Sequence, residues 1–325
     1  MNITITQLGG HLGSYAGDCA IVQIQSDSQS CVVVIDTGDS TAVPLPAFKK
    51  AVRDAYTATG GSLSLITTHA HKDHHDQGKA DYAIKSLGAT WYHGDRLTGS
   101  WDGGKFVCGT SSASSLPAPN ILSGKDNSGW VWLVDSWSPD WRSGSAPSDE
   151  NDLSLATAVY ASNGVHGFSF ITLGDLTPDG ARRLAWPLFI ADVAKFPHHG
   201  SENNRIDFFT SSLLGVRDTV LISGDSGTAA RTVLWLYGQN PSVKARVLLR
   251  TKDADTSFKQ AWQTLYVLDP VTASKVDLHA GKDVILSWSS NKNSEYTLTQ
   301  TGAQSYQEVV KNVSSRRVQT SMLWG

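Results

Sequence analysis

An α/β fold is predicted by three observations taken in order along the chain. Cys31-Val32-Val33-Val34-Ile35 is a continuous β-branched run of the kind a strand covered on both faces needs. Residues 46–58 then carry helical periodicity, with Phe48, Val52 and Ala55 or Tyr56 on one face, and Gly60-Gly61 stops them. A short strand, Leu63 to Thr67, follows, so strand, helix and strand alternate.

The other elements extend that alternation. Ile3 and Ile5 alternate with Thr4 and Thr6 in an opening strand, and Ala20-Ile21-Val22-Gln23-Ile24 forms a second after a Gly-rich turn. The β-branched run ends at Asp36-Thr37-Gly38-Asp39, where the chain must turn. A helix is expected over 77–87, closing at Gly88, and a strand over Ala89–His93. From about 98 to 149 the texture changes: Ser and Gly are dense, and Trp101, Trp130, Trp132, Trp137 and Trp141 fall there. A structureless loop of that length is unusual, so short strands or a lid are expected. Strands return at Ser154–Ser162 and Gly167–Leu173 around Asn163-Gly164. Then come a helix near 178–186, the strand Val193–Phe196, a helix near 203–214, the strand Thr219–Ser223 and a helix over 228–237. The tail from 246 reads mostly as strands, for instance Val284–Trp288, and no internal repeat is visible.

Composition bounds the class. The 325 residues, 40% hydrophobic and 18% charged, suit a globular protein with a full core. A formal net charge of −3 provides no general attraction to nucleic acid or to an anionic membrane. Cys19, Cys31 and Cys108 form no CxxC and no paired spacing, which suits a reducing compartment. MNITITQLGG lacks the basic region and apolar stretch of a secretory signal, and no run approaches ~18 apolar residues. A cytoplasmic location without membrane contact is the expectation.

The chemistry concentrates in His69-Ala70-His71-Lys72-Asp73-His74, directly after a strand. The whole chain has 10 histidines, so three within six positions are not a chance scatter on a polar loop. His69 and His71 are two apart and share one side of an extended chain. Imidazole plus carboxylate suits Zn(II), and also Mn(II) or Fe(II). No GxxxxGK[ST] run occurs, so a phosphate-cradling P-loop is absent.

THAHKDHHDQG resembles the HxHxDH signature of the metallo-β-lactamase superfamily. VVVIDTG, ITLGDL and KFPHHGS resemble the family's other landmarks in the expected order, over roughly residues 1–225. The resemblance implies an αββα sandwich of two mixed sheets flanked by helices. The core is expected over 1–245 with an insertion at about 98–149, and a β-rich C-terminal segment over 246–325 packed on the same domain. It also implies two divalent metal ions, Zn(II) or Mn(II). His69 and His71 would hold the first, Asp73 and His74 the second, and Asp175 would bridge them. His199 completes the second site, His198 orients the site or substrate, and Asp36 supports a ligand from behind. His75, next to the cluster, has no role in the signature.

One departure bears on the first metal. The family usually places a further histidine ahead of the strand pair leading to Gly-Asp, where this chain has Ser148-Asp149-Glu150-Asn151-Asp152-Leu153-Ser154. The Asn-Asp-x-Ser-Leu run, the HHGS run and Gly17-Asp18 most resemble the hydrolase domain of bacterial DNA-uptake (competence) channel proteins. The first metal is then expected either to take an oxygen ligand, Glu150 or Asp149, a harder donor that favours Mn(II), or to be weakly held. His166 reads as a turn residue, Asp225 as a turn cap, and His279 as a lone structural histidine.

The implied activity is hydrolysis by a metal-activated hydroxide, with Asp73 and Asp175 orienting it and His198 or a water protonating the leaving group. The competence-type resemblance favours a phosphodiester, in a nucleotide or a nucleic acid. Arg246, Arg250, Lys252 and Arg316-Arg317 are scattered rather than striped, so a small phosphodiester is as plausible as DNA. Hydrolysis of a carboxylic ester, lactone, thioester or β-lactam is the alternative, and a metal-binding protein without turnover is another. Lys195, ahead of the HHGS run, and Ser201, at its end, are candidate contacts for an anionic substrate, although Lys195 is expected as a salt-bridged surface residue.

Overall fold

Val32 and Val34 pack on one side of their strand while Cys31, Val33 and Ile35 pack on the other, and all five are buried. That strand is therefore covered on both faces, as its unbroken apolar run requires. The computed structural model describes residues 2–8, 18–25, 30–40, 43–93, 99–102, 105–108, 122–123, 128–135, 149–162, 167–183, 191–210, 215–224, 227–249, 277–280, 283–289 and 299–301.

The first sheet is built by β1 (Asn2–Gln7), β2 (Ala20–Gln25), β3 (Ser30–Ile35), β4 (Ser62–Thr67) and β5 (Thr90–His93). Beyond β3 the chain passes through α1 (Leu45–Thr59), and beyond β4 through α2 (Gln77–Asp81), which runs on as a wider π-type turn over Tyr82–Ser86. Within the Ser/Gly/Trp-rich stretch lie a separate hairpin, β6 (Gly99–Asp102) with β7 (Lys105–Cys108), and the strands β8 (Leu122–Ser123) and β9 (Ser128–Asp135).

The second sheet continues from β8 and β9 through β10 (Leu155–Ser162), β11 (Gly167–Thr172), β12 (Ala191–Lys195), β13 (Val216–Ser223) and β14 (Lys244–Leu249). Helices α3 (Pro178–Arg183) and α4 (Gly227–Gln239) flank it. The C-terminal segment joins both sheets: β15 (Asp277–Ala280) pairs with β14, whereas β16 (Val284–Ser289) pairs with β1 and with β17 (Thr299–Thr301). The sheet orders are β17-β16-β1-β2-β3-β4-β5 and β15-β14-β13-β12-β11-β10-β9-β8. Both are mixed, because β3–β4–β5 and β11 through β15 run parallel while their other pairs are antiparallel.

Three apolar layers bind these pieces. Ile5, Val22 and Val33 of the first sheet meet Phe168, Phe170, Val193 and Leu221 of the second, with Trp288 stacked on Phe168 at 5.8 Å between ring centroids. Phe48, Val52 and Ala55 of α1 cover the outer face of the first sheet. Ala229, Val233 and Leu236 of α4 cover the outer face of the second. The result is the αββα sandwich, two mixed sheets flanked by helices, that the resemblance to the metallo-β-lactamase superfamily implies. Among the described residues no helix is long and apolar enough to cross a membrane.

Two expectations are corrected. The helix expected near 203–214 is instead a series of short 3₁₀ turns at His198–Gly200, Glu202–Asn204 and Asp207–Thr210. Ile206 and Phe209 are buried three apart, a spacing that 3₁₀ turns satisfy as well as an α-helix does. Lys195 is salt-bridged but not on the surface; it is 3% exposed, because β12 is an inner strand of the second sheet. Gly17, His166, Asp225 and Arg316-Arg317 lie outside the described residues, as do the side chains of Glu150, His279 and the tryptophans of 101–141.

Candidate metal centre

The loops that leave β3, β4, β11 and β12 at their carboxyl ends converge between the two sheets, the position where α/β folds place their sites. Asp36 follows β3, residues 68–75 follow β4, Gly174-Asp175 follow β11 and His198-His199 follow β12. Several of these residues hold uncommon backbone shapes. Asp36, His198 and His199 have φ of 58°, 47° and 52°, in the left-handed region that side-chain-bearing residues seldom adopt. Local strain of this kind persists where surrounding contacts over-determine it, typically at functional sites. Gly174 has φ 57°, and a Cβ there would lie 2.9 Å from the Ser154 side chain, which explains the glycine of the Gly-Asp pair.

Two groups of side chains that could hold a metal ion result: His69, His71 and Asp175, and next to them Asp73, His74, Asp175 and His199. Asp175 belongs to both, and its carboxylate is divided between them. Its Oδ2 faces His69 Nε2 at 3.8 Å, while its Oδ1 faces His74 Nε2 at 3.1 Å. His69 Nε2 and His71 Nδ1 are 3.1 Å apart, and His199 Nε2 and Asp73 Oδ2 are 3.0 Å apart. Donors of a tetrahedral ion with bonds of about 2.0–2.1 Å sit about 3.3 Å from one another, so these separations suit a shared ion.

The atoms behind the donors fix which nitrogen points inward. Asp36 Oδ2 receives the His74 Nδ1 proton at 2.7 Å, and the same carboxylate accepts the Thr68 N–H at 2.7 Å and the Thr68 hydroxyl at 2.8 Å. His74 Nε2 is thereby left facing the cluster, buried and 3.1 Å from Asp175 Oδ1. His69 Nδ1 rests against the hydroxyls of Thr68 (3.1 Å) and Ser154 (3.3 Å), leaving its Nε2 inward. The Asp175 N–H donates to Ser154 Oγ at 3.1 Å, which ties the two strand ends together. Buried polar atoms without hydrogen bonds are uncommon, and His199 Nδ1 is one; with His74 Nε2 turned to the Asp175 carboxylate, the arrangement fits a centre that holds cations.

The electrostatics agree. Burial works against charge on Asp175 and Asp73, yet neighbouring histidines hold both carboxyls below the usual range. Burial and the adjacent His74 push His69 well below its ordinary value, so it stays a neutral donor. Burial opposes the charge on His74 as well, but Asp175 and Asp36 outweigh it and hold the ring well above its ordinary value. A cation placed among these carboxylates would displace that proton.

His198 is in neither group. Its side chain is 39% exposed, its Nε2 is 4.0 Å from Asp175 Oδ2, and its N–H donates to Asp175 Oδ1 at 3.0 Å. Asn204 donates from Nδ2 to the Asp175 and Leu176 carbonyls at 3.0 and 2.9 Å, so its Oδ1 accepts from His198 Nδ1 at 3.1 Å. His75 turns away from the centre and stacks on Trp91 at 5.8 Å, and burial pushes it down to about 4. Asp149 is exposed and caps a 3₁₀ turn by accepting the Asn151 N–H. Ser201 likewise caps a turn, through Asn203.

Several participants have no role assigned from the sequence: Thr68, Ser154, Asn204, Lys79, Asp18 and Ser223, the last two buried with Lys195. Ser154 and Asp18 stand inside the Asn-Asp-x-Ser-Leu and Gly-Asp landmarks, which was the available signal. The Lys79 ammonium donates to the carbonyls of Thr37, Gly38 and Asp39 at 3.0, 2.7 and 2.7 Å and so holds the loop after Asp36.

No family model and no curated protein matches the chain. Among solved structures it is similar to the metallo-beta-lactamase fold protein YhfI from Bacillus subtilis, at 12% identity over 88% of this chain and 100% of that one, with a TM-score of 0.43. It is also similar to unliganded yeast PDE1, at 10% identity over 86% and 98% of the two chains and a TM-score of 0.43. A long form of RNase Z from yeast aligns at 9% identity over 96% of this chain and 52% of that one, with a TM-score of 0.44.

Proposed function

We propose that this chain is a metal-dependent hydrolase of the metallo-β-lactamase superfamily, acting on a phosphodiester in a nucleotide or nucleic acid. The division of the Asp175 carboxylate, one oxygen to each histidine group, is the observation that carries the two-metal reading. His69 and His71 would hold the first ion, Asp73, His74 and His199 the second, and Asp175 would serve both. Zn(II) or Mn(II) suits this mixture of imidazole and carboxylate. When bound, such ions supply Lewis acidity and bring the pKa of water toward neutrality.

The chain's own residues do the rest. Asp73 and Asp175 orient the attacking oxygen, and the buried walls around His69, His74 and Asp175 exclude bulk water. Asn204 keeps the proton on His198 Nδ1, so Nε2 is the atom left to exchange a proton with the leaving group. The phosphodiester preference rests on the Asn-Asp-x-Ser-Leu and HHGS runs and their competence-type resemblance. The free thiols of Cys19 and Cys31 suit a cytoplasmic setting.

Elemental analysis of protein purified without chelator, paired with hydrolysis of a chromogenic phosphodiester, tests the reading. Near two ions per chain and metal-dependent turnover are expected. Metal without phosphodiester turnover overturns the substrate and transfers the assay to esters, lactones and β-lactams. Failure to bind any metal on titration overturns the hydrolase.

A further inference from the structure

We propose that Asp18 is a positioning residue for the second ion, backing His199 as Asp36 backs His74, and that Lys195 tempers its charge. The proposal rests on the two-metal reading above. Asp18 is buried at 3% exposure and lies toward His74 Nε2, whereas Asp36 holds the ring's other nitrogen, Nδ1. Its Oδ1 accepts the Ser223 hydroxyl at 2.6 Å and its Oδ2 pairs with the Lys195 ammonium. Its N–H donates to the Asp73 carbonyl at 3.1 Å, which ties it to the loop carrying two members of the group.

The carboxylate faces both histidines of that group: His199 Nδ1 is 3.7 Å from Oδ1, and His74 Nε2 is 3.9 Å from Oδ2. His199 Nδ1 is buried without a hydrogen bond, whereas His74 Nε2 already has Asp175 Oδ1 at 3.1 Å. With His199 Nε2 directed at Asp73 and serving as the donor, Nδ1 must carry the proton. Asp18 Oδ1 accepts it after a contraction of about 0.5–1 Å. A histidine held this way is both oriented and made a stronger donor, and losing such a partner typically weakens metal binding about 10–100-fold. The Lys195 ammonium opposes a nearby dication, and Asp18 is the group through which its charge is balanced.

The test is a Zn(II) titration followed by calorimetry, with ion counts per chain, on the wild type and the Asp18→Asn, Lys195→Gln, His199→Ala and Asp18→Asn/Lys195→Gln variants. The ion weakened by His199→Ala marks the second group. Asp18→Asn should weaken that same ion about 10–100-fold, and Lys195→Gln should tighten it. The double variant keeps the buried pair neutral, so it reports on binding if Asp18→Asn alone does not fold, and it should bind the second ion about 10–100-fold more weakly than Lys195→Gln does. Equal affinity in Lys195→Gln and the double variant overturns the proposal. So does a Lys195→Gln effect in the same direction as Asp18→Asn, which marks a purely structural ion pair. A wild type that binds no ion overturns the two-metal reading itself, and this proposal with it.

Discussion

The two oxygens of the Asp175 carboxylate are aimed at two histidine groups, which on the proposed reading makes it the shared ligand. Replacing it with asparagine removes the charge while keeping the shape. Asp175→Asn is expected to lose tight uptake of both ions, with elemental analysis falling from near two per chain to well below one; retention of either ion at full affinity refutes the shared role. His69, His71, Asp73 and His74 were legible as a cluster because they are neighbours in sequence, and strand spacing already groups the first two. The contacts behind them were not legible. Lys195 and Asp18 are 177 positions apart, and Ser223 and Asp18 are 205 apart, so no local pattern announces either pair.

At the scale of elements, loop geometry decides where the ligands point. Gly174 lets the chain turn into Asp175 with φ 57° over Ser154. Gly174→Ala forces a Cβ against that side chain and a left-handed alanine, at about 2–4 kcal/mol. A lowered denaturation midpoint together with weakened metal uptake is expected, and a variant of wild-type stability and affinity would show the turn to be tolerant. Lys79 does comparable work for the loop after β3. Lys79→Met leaves three carbonyls without their shared donor and should cost about 2–4 kcal/mol by chemical denaturation. The strands and α1 were readable from periodicity. The turns over 198–210 were not, because Asn204 and the left-handed His198 and His199 answer to contacts across the site rather than to helix propensity.

For the whole molecule, the C-terminal segment is part of the sandwich rather than an appendage. Trp288 on β16 is 1% exposed and packs between the sheets with Phe168. Trp288→Ala should lose about 3–5 kcal/mol through the cavity it opens. Trp288→Phe should lose much less, because the indole N–H is buried without a hydrogen bond. Thermal melts of the two variants check the contrast; equal losses would mean that ring shape rather than burial dominates.

The sequence by itself determined the class of fold, most strand positions and the identity of the clustered histidines and carboxylates, because these are written in periodicities and short spacings. Only the tertiary structure decided that the described C-terminal strands join both sheets, that Lys195 is buried against Asp18, and that Asp175 turns one oxygen to each histidine group. Those outcomes depend on which strand ends meet across the sandwich. That meeting is set by the packing of two whole sheets over one shared core, so it is not encoded in any single stretch of chain.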